Sequence, residues 1–182
     1  VLTSALQRAV AVLDKLEIPH ALIGGLAVSA RGAVRATKDI DFLIGRSLAQ
    51  AASIVESLRR EGLNATYRRG DIEDPLPGLI RVEIEGDPSP IRCDLLFAAS
   101  QWQREAVERA SEVNLEGLRV RVVQAADLFL LKLHAGGVMD LYDAAKLYGL
   151  QGDDERRHWA NRASEHGKAK ELAEALDFLS RG

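Results

Sequence analysis

The chain has 182 residues, a formal net charge of -3 and 47% hydrophobic against 28% charged residues, which is enough apolar material for one packed core and argues against a broad basic surface for nucleic acid. Its single cysteine, Cys93, excludes an internal disulfide framework, and its four histidines lack the spacing of a zinc site. No apolar run reaches the roughly 20 residues of a membrane-spanning helix, and the opening residues do not read as a signal peptide. The expected location is cytoplasmic.

Leu2, Leu6, Val10, Leu13 and Leu16 recur at helical spacing and predict an amphipathic helix that stops before Pro19. His20 to Ile23 reads as a short strand running into Gly24-Gly25, followed by a short helix over Leu26 to Ala30. A loop with Arg31, Arg35 and Lys38 leads to Asp39-Ile40-Asp41-Phe42-Leu43-Ile44, whose period of two predicts a strand with unlike faces. Ser47 is a helix N-cap, with Leu48, Ala51, Val55 and Leu58 as the buried stripe behind it. Leu63 to Arg68 predicts a strand and Gly70 to Gly78 a loop; Leu79 to Glu85 and Ile91 to Phe97 predict an antiparallel pair around a proline-rich turn. Ala98 to Ala110 is expected to be helical and Leu118 to Val123 a strand. Beyond Ala125 come four helices: 125–134, 140–148, 154–165 and 168–179. The predicted architecture is α/β, a small mixed sheet with flanking helices over 1–123 followed by a helical region over 124–182.

The chemistry is expected from three acids. Asp39 and Asp41, two apart on a strand, project from one face with Cα atoms about 6–7 Å apart. Two carboxylates that close call for a cation between them, and hard oxygen donors suit magnesium. Asp94 is a lone acid in an otherwise apolar strand; if that strand lies beside the first, it completes a set able to clamp a phosphoryl group through metal. Gly24-Gly25, placed just before a helix, would let backbone amides approach an anion closely. Asp94 could instead simply pair with Arg92, and Arg35 and Lys38 could bind phosphate or merely balance charge. Asp140 and Asp143 read as acids complementing a helix dipole, Cys93 as a core residue and His20 as structural.

These residues resemble the nucleotidyltransferase superfold of DNA polymerase beta. The stretches Ile23-Gly24-Gly25-Leu26-Ala27 and Arg35-Ala36-Thr37-Lys38-Asp39-Ile40-Asp41-Phe42 are similar to its branch of AbiEii-type abortive-infection and toxin–antitoxin enzymes. The resemblance implies transfer of a nucleoside monophosphate from a triphosphate to an acceptor hydroxyl, with pyrophosphate leaving. Asp39, Asp41 and Asp94 would bind magnesium, or manganese in its place; Gly24 and Gly25 would hold the β and γ phosphates, and Lys132 would contact phosphate. It also implies a tRNA, protein or small-molecule acceptor and, for the toxin branch, an antitoxin partner. Many relatives have Ser at the position of Gly25 and a basic residue before Asp140. A non-catalytic nucleotide-binding or interaction module that keeps the fold is therefore the competing expectation.

Overall fold

The computed structural model describes residues 1–70 and 78–180; most of the loop expected over Gly70 to Gly78 lies outside them. The opening helix α1 (Leu2–Lys15) buries Leu6, Ala9 and Leu13 and is followed by β1 (His20–Ile23). Helix α2 (Gly24–Ala30) starts at the first glycine rather than at Leu26, so the glycine pair is the helix's own first turn. β2 (Ile40–Ile44) follows, with Asp39 just outside it. Ser47 opens a single 3-10 turn over Leu48–Gln50, its hydroxyl accepting from Ala49 N, and α3 (Ala51–Arg60) continues from there.

Three strands then run down one side: β3 (Asn64–Arg69), β4 (Gly78–Ile84) and β5 (Ile91–Phe97). Helix α4 (Gln101–Glu108) is shorter than the sequence pattern suggests, and Ser111–Leu115, unassigned in the sequence, forms β6, paired antiparallel with β7 (Leu118–Val122). Four helices close the chain, α5 (Ala125–Ala135), α6 (Val138–Gly149), α7 (Asp153–Glu165) and α8 (Ala169–Ser180).

The seven strands form one mixed sheet in the order β3-β4-β5-β2-β1-β7-β6. The expected β4–β5 pair is antiparallel, while β2 and β5 run parallel, as strands joined by a crossover do. On one face Ala65, Ile80, Val82, Cys93, Leu95 and Phe42 are buried, and α1 packs there against β4 and β5. Cys93 sits in this layer, 1% exposed, and burial pushes its thiol up beyond the usual range; it is a core residue. His20 is also structural: its ring is buried, lies 2.8 Å from Ile18 O through Nδ1 and meets Phe42 edge-on. The contiguous core reaches from Ala5 in α1 to Ala175 in α8. No helix among the described residues is long and apolar enough to cross a membrane.

Candidate active site

Register builds the site. Across five neighbouring strands Thr66 stands opposite Arg81, Arg81 opposite Asp94, Asp94 opposite Asp41, and Asp41 opposite Ile23 at the mouth of α2. Residues directly opposite in a sheet share a face, so the parallel β2–β5 pair sets the carboxylates of Asp41 and Asp94 side by side. The adjacency that the sequence leaves conditional is thus met. Asp41 bears the electrostatic consequence: burial first, and then the charge of Asp94, push its carboxyl up to about 6, with Lys132 pulling the other way.

The other two carboxylates are already engaged. Arg81 donates from Nε to Asp94 Oδ1 at 2.9 Å and from Nη2 to Oδ2 at 2.8 Å, a two-pronged grip on a side chain that is only 10% exposed. Arg92, the alternative partner read from the sequence, approaches Asp94 only to 3.7 Å and donates to Asp39. Asp39 therefore faces Arg92 at the rim of the site. Nothing in the sequence singles out Arg81, because its role follows from the β4–β5 register and not from spacing along the chain.

Gly24 lies against this cluster. Its φ of 67° is a left-handed conformation, and a Cβ added there would overlap the Asp41 carboxylate, reaching 2.8 Å from Cγ. The glycine thus leaves room for the acid. Gly25 is different: it is buried, and its Cα faces the Thr37 side chain, with a Cβ falling 2.9 Å from Thr37 Cβ. Gly24→Ala is expected to cost about 1–2 kcal/mol through backbone strain alone. It should also displace Asp41, so that the soluble variant loses activity by more than its small fall in melting temperature explains. Thermal unfolding beside an activity assay checks this.

Gly24 and Asp41 open into a cavity of about 440 Å³ between the sheet and α4, α5 and the start of α6. Lys132 lines it from α5, but it does not reach out alone: Nζ is 2.7 Å from Asp140 Oδ1 and 2.9 Å from Asp143 Oδ2. Asp143 is 1% exposed and also receives Arg35. The reading of Asp140 and Asp143 as dipole-balancing surface acids is therefore incomplete; both are counter-ions of Lys132, and Asp143 ties it to the loop that carries Arg35. Of the predicted phosphate-binding cations, Lys132 alone lines the cavity; Arg35 is turned to Asp143 and Lys38 is exposed.

The model of the AbiEii family, described as a nucleotidyl transferase toxin of a type IV toxin–antitoxin system, matches residues 4–181. The chain belongs to this family. It is a nucleotidyltransferase with the fold of that class. The antibiotic-resistance factor ANT(2'')-Ia, in complex with adenylyl-2''-tobramycin, is 14% identical with a TM-score of 0.60, over 90% of this chain and 97% of that one. Its solution structure gives 0.58 at 14% identity over 94% and 95%. An antigenic nucleotidyltransferase-like protein from Paracoccidioides brasiliensis gives 0.54 at 16% identity over 95% and 89%. At these identities the likeness is one of fold. No curated protein matches the chain in sequence.

Proposed function

We propose that this AbiEii-family nucleotidyltransferase moves a nucleoside monophosphate from its triphosphate to an acceptor hydroxyl in a magnesium-dependent reaction, with manganese able to substitute. The observation that carries this is the in-register pair Asp41 and Asp94, with Asp41 on the wall of a cavity of about 440 Å³. Among the described residues no three acidic, histidine or cysteine side chains converge into a metal cage. Magnesium does not require one, since it keeps several waters and binds through one or two carboxylates plus substrate phosphates. Two oxygen donors side by side, one of them left proton-hungry by burial and by its neighbour, fit such an ion. Asp39, paired with Arg92 at the rim, would join them as a further oxygen donor.

When bound, magnesium would neutralise charge on the attacking and leaving oxygens of the α-phosphoryl group. The chain's own residues do the rest. Arg81 holds both oxygens of Asp94 in place, so that this carboxylate meets the acceptor hydroxyl in a fixed orientation and receives its proton. The acceptor oxygen bonds to the α-phosphorus as the bond to the pyrophosphate oxygen breaks. Lys132, kept oriented by Asp143, offers its ammonium to the leaving phosphates, and Gly24 lets the triphosphate approach the start of α2.

The family's description extends, in our reading, to a cytoplasmic toxin partnered by an antitoxin and acting on a tRNA end or a protein hydroxyl. Beyond Asp94 the same sheet face carries Arg81, Arg92, Thr66 and Arg68, the last three of them exposed, a surface suited to an acceptor bearing phosphates. The test is pyrophosphate release from each nucleoside triphosphate with magnesium and candidate acceptors, for the wild type and Asp41→Ala. Release by the first and none by the second is expected, as is slowed growth on expression of the wild type alone. Equal background from both would leave only a binding module.

A further inference from the structure

The cavity extends beyond its acids. Two residues along from Asp41 and Asp94, Leu43 and Leu96 stand opposite each other on the same face, and Leu128 and Leu131 of α5 face them across the cavity. This apolar floor begins about 6–7 Å from the carboxylates. Triphosphate chemistry belongs at the acidic end, so an apolar slot one strand step away needs an occupant that is flat, apolar on its faces and joined to the phosphates.

One polar side chain on the α4 wall of that slot has an unused group. Gln103 accepts a hydrogen bond from Ser100 N on Oε1 at 3.0 Å, the side-chain half of the turn that opens α4. That bond fixes which end of the carboxamide is which, because a backbone N–H requires the oxygen. The Nε2 amide has no partner among the described residues, and Gln103 lines the cavity. His134, also on the wall, is packed against Trp102 with ring centroids 5.2 Å apart; burial together with the nearby Lys168 charge pulls its pKa below the usual histidine value, and its buried Nε2 has no partner among the described residues. A slot with leucines on two sides, the fixed Gln103 donor and the His134 ring suits a nucleobase.

We infer that the apolar half of the cavity seats the base of the nucleoside triphosphate and that Gln103 selects among bases, donating from Nε2 to an acceptor on the base edge turned toward α4. The inference rests on the proposed nucleotidyl transfer and names a specificity determinant within it. A donor that cannot reverse its direction favours a base with a ring nitrogen or carbonyl at that edge and disfavours one with an exocyclic amine there.

Equilibrium binding of ATP, CTP, GTP, UTP and inorganic tripolyphosphate, each with magnesium and no acceptor, tests it on the full chain. Gln103→Glu keeps the oxygen that accepts from Ser100 N while replacing the donor by an acceptor; Gln103→Met removes the donor without adding charge. The wild type should prefer one base, or one pair sharing an edge pattern, by about tenfold or more. In Gln103→Met that preference should collapse, and in Gln103→Glu it should invert, with tripolyphosphate affinity changed less than twofold in Gln103→Met. An unchanged base ranking in both variants would overturn the assignment, as would wild-type binding of all four triphosphates no tighter than tripolyphosphate. A wild type that binds neither the nucleotides nor tripolyphosphate would instead overturn the nucleotidyl-transfer reading on which the inference stands.

Discussion

Asp41→Asn is expected to make the protein more stable and nearly inactive at once. The wild-type carboxyl is pushed from 3.8 to about 6, by burial and then by Asp94. A carboxyl with a raised folded-state pKa binds its proton more readily in the native protein than in the unfolded chain. Below pH about 4 both states are protonated and the group costs nothing. As pH rises from about 4 to about 6 the unfolded state ionises first, and stability falls; above that the loss is complete. A shift of this size corresponds to about 3 kcal/mol at most, and since the amide also dislikes burial, a gain of about 1–3 kcal/mol at pH 7.5 is the expectation.

For a chain this long each kcal/mol moves the melting temperature by about 2–4 °C. The variant should therefore melt several degrees above the wild type at pH 7.5 and level with it at pH 4. Magnesium should raise the wild-type melting temperature at pH 7.5 more than that of the variant, because the ion relieves the same repulsion the amide removes. Turnover should fall by about 10²–10³-fold or more, the scale seen when one group that stabilises developing charge is lost. Scanning calorimetry across pH, with and without magnesium, checks the stability half. A variant no more stable than the wild type at pH 7.5 would mean that burial and Asp94 do not penalise the Asp41 charge as their placement implies.

The same acid shows how much of the site is legible in the sequence. Asp39-Ile40-Asp41-Phe42 alternates cleanly, and the strand that period two predicts is the one that forms, at Ile40–Ile44. Asp94 is visible as an acid in an apolar run, yet its place beside Asp41 and opposite Arg81 depends on strand order and register, which no local pattern carries. No element is expected from the sequence between Ala110 and Leu118, so β6 is missed, although Glu116 and Gly117 both have positive φ, the two-residue turn of a tight hairpin, between runs that alternate Val113, Leu115, Leu118 and Val120. Gln103 sits in a polar helical stretch, where nothing marks a residue that lines a cavity. Lys132 stands out as a lone cation in an apolar helix, but its two counter-ions lie 8 and 11 positions further on, across the turn into α6.

Asp127 gives no signal in the sequence at all, and its removal carries the largest expected loss of stability. It is 1% exposed in the first turn of α5, where Arg109, at the end of α4, grips it with Nε and Nη2 at 2.8 Å each. Arg162 of α7 donates to the same carboxylate. These two arginines hold its pKa below the ordinary carboxylate range against the burial that alone would raise it. One side chain thus joins the end of α4, the helix that carries Lys132, and the helical tail. Asp127→Ala leaves Arg162 without its anion and Arg109 with only Glu105, a loss of up to about 3–5 kcal/mol, the scale for a broken buried pair. At about 2–4 °C per kcal/mol the melting temperature should fall by roughly 10 °C.

The pH dependence has the opposite sign from that of Asp41. A depressed carboxyl contributes stability that is complete above its unfolded pKa, near pH 4, and is lost as pH falls through the lower folded value. The gap between wild type and Asp127→Ala should therefore be widest at neutral pH and close in acid. Because Asp127 itself does not line the cavity, the variant assayed well below its melting temperature should keep nucleotide affinity within a few-fold of the wild type. A loss of affinity as deep as that of Asp41→Asn in still-folded protein would mean instead that the α4–α5–α7 junction shapes the cavity itself.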